Sequence, residues 1–196
     1  METFWSIGGK YNSNTITIQI LMEALLVSGF ILVDCIKKQK FVIIVKILFA
    51  IEFIWIGIEY FIINGVSEYH NVLNSIPFFI IGLCWIEDTI SGRTNAQNPY
   101  GKRGLLLYLI WPMFIGLSLV LGRIWPEMFG IVFPCNTITM ALIWLNIHSK
   151  KKNYTLTIIL VLMAIPGGLF NVFYFRVYED LIMVFMGIAT LLHFLY

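Results

Sequence analysis

FVIIVKILFAIEFIWIGIEYFII, residues 41–63, decides the fold: its 23 residues carry only three charges, Lys46, Glu52 and Glu59. A helix of about 20 apolar residues crosses a hydrocarbon core of about 30 Å. Similar blocks recur along the whole chain. Apolar residues make up 59% of the sequence and charged residues 12%, with a mean hydropathy of +0.86. A soluble domain of this length would show alternating polar faces, and here they are missing.

The pattern predicts an all-α, polytopic transmembrane helix bundle of about seven spans: 15–36, 41–63, 75–89, 104–122, 129–147, 155–175 and 178–196. Residues 1–14 read as a short polar segment outside the bilayer. Residues 15–196 read as one helical membrane domain, since no linker, low-complexity run or repeat divides them. Only Arg176 and Val177 separate the last two spans, which predicts a tight antiparallel pair.

Charge sets the orientation. Loops after the first, third and fifth spans hold Lys37, Lys38, Lys40, Arg93, Lys102, Arg103, Lys150, Lys151 and Lys152, and Lys46 can snorkel to the same side. The opposite side has Lys10, Arg123 and Arg176. Ten basic residues against three put the N-terminus outside and the C-terminus inside.

Composition also excludes function classes. The net charge of +2 and the scattered basic clusters form no nucleic-acid-binding stripe. Cys35, Cys84 and Cys135 are far apart and form no CxxC, so neither a disulfide framework nor a zinc knuckle is expected. No cleavable signal peptide is expected. Glu68 beside His70 is too little for a metal site, and His148 and His193 lie elsewhere. No metal or cofactor is expected, and no hydrolase, zinc-protease or P-loop motif points to an enzyme. A retinal protein would need a lysine in the last span for its Schiff base, and that span has none.

Polar groups at membrane depth mark the candidate site. Glu52 falls near the middle of the second span and Glu59 two turns further out, on one face with Trp55. Gln19 and Glu23 share a face in the outer half of the first span. An ionised acid at the bilayer centre costs about 2.5–3.5 kcal/mol. Three would cost roughly 8–10 kcal/mol, comparable to the stability of a whole domain. These acids must therefore face the interior, be paired or be protonated, and the outer cations on hand are Arg123 and Arg176. Glu87, Asp88 and Asp34, near the inner ends, are expected to be solvated. Pro166, Gly167 and Gly168 predict a break in the sixth span, tolerated only against protein or a water-filled cavity. Pro134 suits the first turn of a helix, with Cys135, Asn136 and Thr137 after it. Trp5, Tyr11, Tyr60, Trp125 and Tyr178 also suit interfacial anchoring.

Several motifs occur in order: Trp55-x-Gly57-Ile58-x-Tyr60, Tyr108-x-x-Trp111-Pro112, Trp125-Pro126-x-x-Phe129-Gly130-x-x-x-Pro134-Cys135-Asn136-Thr137, Ile165-Pro166-x-Gly168, and Glu179-Asp180-Leu181. Together with Phe4-Trp5 and Tyr11-Asn12, this is similar to a bacterial integral-membrane family known as domain of unknown function 6064, over nearly the whole chain. The family pattern has a second proline where this chain has Asn136, and a histidine where it has Phe61. Glu52 and Glu59 stand outside the pattern. The resemblance implies a multi-pass protein of the bacterial inner membrane and implies no activity.

The expected function is a small transporter or channel-like protein with a polar pocket in the outer half of the bilayer. Gln19, Glu23, Glu52, Trp55, Glu59, Tyr60, Pro134, Cys135, Asn136, Thr137, Pro166, Gly167, Gly168, Arg176 and Asp180 would line it and bind a cation, proton or small polar ligand. The alternatives are a non-transporting subunit or sensor that binds a lipid or protein partner, and an intramembrane acid/base enzyme acting on an apolar substrate. The expected partners are the lipid bilayer and that ligand, with a homo-oligomer left open and no nucleic acid.

Overall fold

The computed structural model describes residues 2–36, 38–65, 71–94, 106–148 and 153–195. Of these residues 87% are helical and none lies in a strand. Lys37, Glu68, His70, Lys102, Arg103, Lys150, Lys151 and Lys152, used in the charge and metal readings, lie outside the described residues, as do 104–105 and Tyr196.

Among the described residues seven helices follow in order: α1 Glu2–Ile36, α2 Gln39–Ile63, α3 Asn71–Ser91, α4 Ile110–Val120, α5 Pro134–His148, α6 Tyr154–Phe175 and α7 Leu181–Leu195. A short 3₁₀ turn, Leu106–Leu109, leads into α4, and another, Tyr178–Asp180, leads into α7. Four helices are long and apolar enough to cross a membrane: α1, α2, α3 and α6. The all-helical architecture expected from the hydropathy is present.

The core forms around α5. Fourteen of its 15 residues are buried, and its polar side chains (Asn136, Thr137, Thr139, Asn146 and His148) are spread around the helix rather than gathered on one face. A helix without a polar face belongs inside a bundle. Phe30 of α1 stacks between Tyr108 and Trp144 at centroid distances of 4.7 and 5.1 Å, and Phe49 of α2 stacks on Trp85 of α3 at 4.8 Å. Small residues let helices approach closely, as membrane bundles favour. A Cβ at Gly82 of α3 would stand 2.7 Å from Ile54 of α2.

Several expectations need correction. The polar segment 1–14 belongs to α1, which runs unbroken from Glu2, because its polar side chains find partners on the segment before α5. The span read as 129–147 becomes helical only at Pro134; residues 129–133 are irregular and largely buried. The sixth span does not break at Pro166. It widens into a π-helical turn over Met163–Gly167, with Gly167 and Gly168 both in right-handed helical geometry. A π turn moves the carbonyl that would collide with the proline ring and takes up the missing N–H. Gly168 instead permits contact with α7, where a Cβ would lie 2.6 Å from Val184. Finally, Asp88 is buried rather than solvated, and Lys46 does not reach out to water: the two form an ion pair at 2.9 Å.

The tight pairing of α6 and α7 is as expected. Arg176 takes the left-handed conformation that ends α6, and Val177 leads into the 3₁₀ turn.

Candidate functional site

An irregular backbone can be buried only if its polar groups are satisfied. The polar face of α1 does this for residues 126–133. Asn12 donates to the carbonyls of Pro126 and Met128, both at 2.8 Å. The Gln19 side-chain oxygen accepts from the amides of Ile131 at 3.0 Å and Val132 at 3.1 Å. Tyr11 donates to the Val132 carbonyl at 2.8 Å, and Asn136 to that of Gly130 at 2.8 Å. Trp111 of α4 adds a bond to the Ile131 carbonyl at 3.3 Å. Glycine is required at 130 because any Cβ would collide with the side-chain oxygens of Asn12 and Gln19. Gln19 and Asn136 are thus scaffold residues. Thr137 is buried in the first turn of α5, its amide bonded to the Phe133 carbonyl at 2.9 Å.

Glu23 of α1 and Glu52 of α2 are buried and lie within electrostatic reach of each other. Neither Glu52 oxygen, and one of the two Glu23 oxygens, has a hydrogen-bond partner among the described residues. Trp55 and Glu59 are half-buried further along α2, where Asn64 bonds the Glu59 carbonyl at 2.8 Å.

A separate cavity of about 600 Å³ opens at the end of the bundle that holds the start of α1. Its walls come from α1, α2, α3, α5, α6 and α7. Phe133 and Pro134 deliver Cys135 to the wall, and Gly167 also lines it, with open space where a side chain would project. Phe170 and Tyr174 also line it and are exposed, so they flank its mouth. Behind the wall sits Asp180, fully buried. Its Oδ2 accepts from Asn171 Nδ2 at 2.6 Å and from the Cys135 thiol at 3.2 Å. Glu179 is buried beside it and accepts from Ser118 at 3.0 Å.

The cavity therefore brings together Tyr60, Pro134, Cys135 and Gly167, with Asp180 one layer behind. Gln19, Glu23, Glu52, Trp55, Glu59, Asn136, Thr137 and Gly168 lie outside its wall, and Pro166 borders a smaller apolar groove elsewhere. Arg176 is exposed, and the Arg123 guanidinium sits 4.2 Å from the Trp5 ring. Neither forms an ion pair with a buried acid among the described residues. Asn171 escaped the sequence reading, although it is the single amide side chain in the span 155–175 and such a group in oil needs a partner.

Two polar clusters occupy the opposite end. Lys46 pairs with Asp88, whose Oδ1 accepts from Asn153 at 2.7 Å and from the Thr94 amide at 3.2 Å. His148 bonds Asp34 at 2.9 Å, lies 3.4 Å from the Tyr108 hydroxyl, and stacks on Trp144 at 3.9 Å. Asp34 is thus held against the bundle rather than solvated.

These features define an all-helical protein with four apolar, membrane-length helices, a clamped buried loop and an aromatic-walled cavity. The model of a family of unknown function (DUF6064) matches residues 1–196, and the chain belongs to that family. No curated protein and no solved structure matches it.

Proposed function

We propose that this is a multi-pass inner-membrane protein, N-terminus outside and C-terminus inside, that holds an amphipathic ligand in the cavity at its outer end. The cavity itself carries the reading. At about 600 Å³ it lies within the size range of small-molecule sites, and its walls are mainly apolar with a few convergent polar groups, the composition such sites share. This favours the ligand-binding alternative from the sequence over a purely polar pocket.

Gly167 supplies the test. Its helical geometry tolerates any side chain, and nothing occupies the space beside it. Gly167→Leu should fill the cavity while leaving the fold intact. Native mass spectrometry of the full chain released from detergent is expected to show a retained amphipath in the wild type. The substitution should weaken retention by about tenfold or more, the effect of losing a few buried methylene contacts. Equal retention in both proteins would sink the reading.

Transport of a proton or small cation is the second reading. It is favoured by Glu23 and Glu52, buried together with unpartnered oxygens. In liposomes, proton flux through the wild type should exceed that of empty vesicles and fall to their level in Glu52→Gln. Equal flux in wild type and variant would remove these acids from any pathway.

A further inference from the structure

Two carboxyl groups without a cationic partner sit at the polar end of the cavity. Asp180 and Glu179 are adjacent and both fully buried, and no cation pairs with either among the described residues. Asp180 Oδ1 and Glu179 Oε2 have no hydrogen-bond partner there. Asp180 is bonded to two residues that line the cavity, Cys135 and Asn171, so its carboxyl lies directly behind the wall.

The walls point to the same sign of ligand. Of the 19 described lining residues, eight are aromatic and none is basic. Tyr60 and Phe133 pack edge-to-face at 5.0 Å, Phe4 meets Phe133 at 6.1 Å, and Phe170 stacks on Tyr174 at 5.1 Å near the mouth. Ring faces are negative and attract a desolvated cation within about 6 Å. An anionic head would meet both the ring faces and two buried acids. A neutral head would leave the acids uncompensated.

Resting on the reading that the cavity holds an amphipath, we propose that the ligand carries an ammonium head on an apolar tail. The head lies against Cys135 and Asn171 over Asp180, and the tail runs along the aromatic wall toward Phe170 and Tyr174. An aminolipid of the surrounding membrane and a free alkylammonium share this chemistry.

The test uses the full chain in a neutral maltoside detergent. Native mass spectrometry measures retention of phosphatidylethanolamine against phosphatidylglycerol of the same acyl chains, and calorimetry compares decylammonium with decanol and decanoate. The wild type is expected to prefer the ammonium member by tenfold or more in at least one arm, and the arm that responds identifies the source. Asp180→Asn keeps the side-chain shape and should erase the preference while decanol still binds. If that variant does not fold, Asn171→Leu, at a half-buried position, removes the amide against which the head lies and should lower the preference severalfold while decanol still binds. Equal binding of all head groups by the wild type overturns the ammonium assignment and leaves the cavity reading standing. Failure of every probe to bind overturns both.

Discussion

Lys46→Met is expected to destabilise the protein by about 3–5 kcal/mol, the cost of stripping the partner from a buried ion pair. Lys46 and Asp88 are 1% and 0% exposed, and their charged atoms lie 2.9 Å apart. The ammonium also donates to the carbonyls of Thr94 at 2.8 Å and Asp88 at 3.2 Å, so its three donors are all used. Asp88 in turn binds Asn153, which caps the start of α6 by accepting from the Leu156 amide. One cluster thus fastens the start of α2, the end of α3 and the start of α6. Methionine fills the space of the lysine stem but leaves the carboxylate charged in a dry site. Adding Asp88→Asn should recover most of the loss, because the neutral amide keeps an acceptor oxygen for the Thr94 amide. Denaturation in detergent, followed through Trp85 beside Phe49, measures both. A loss below about 1 kcal/mol in the single variant, the range of exposed pairs such as Arg93–Glu87, would mean that water reaches the pair.

That cluster also shows where the sequence stops being legible. Apolar block lengths located the seven helices among the described residues, though not the polar first turns of α1, because apolar length is a property of composition. The short link from α6 to α7 followed from a local rule about loop length, whereas Pro134 suits a first helical turn but the apolar block starts at 129, and that hid the irregular 129–133. Tertiary matching did not follow. Lys46 read as a snorkelling residue near a span end, since nothing local says that α3 will bring Asp88 to it. The signal was present in outline: a charge inside an apolar block needs a partner, and Asp34, Glu87 and Asp88 were the acids on that side. Pro166 misled for the opposite reason. Its local rule assumes an α-helical hydrogen-bond ladder, and a π turn sidesteps that assumption. Within the candidate site, Cys135, Gly167 and Asp180 were legible from polarity and motif. The cavity's aromatic wall was not, because its rings come from four helices and the segment before α5, and each ring alone reads as core or lipid contact.

Gln19→Leu carries the second large expected effect, a loss of about 2–4 kcal/mol. The Gln19 oxygen is the acceptor for two buried backbone amides, at Ile131 and Val132, and each orphaned amide costs about 1–3 kcal/mol. Leucine is isosteric enough to fill the space, so the loss reports hydrogen bonding rather than a void. Gln19→Glu separates the two roles of the side chain. Its carboxyl still accepts from both amides but forfeits the donor that reaches Thr15 at 2.9 Å and adds a buried acid, so stability falls for a different reason while the backbone stays clamped. Hydrogen exchange at the amides of 131 and 132 should accelerate in the leucine variant and stay near wild type in the glutamate variant. Because Phe133, Pro134 and Cys135 follow this clamp directly and form part of the cavity wall, loosening it should also weaken amphipath retention. Loss of stability with unchanged exchange at those two amides would show that Gln19 acts through α1 alone, and the coupling from the α1 polar face to the cavity would fall with it.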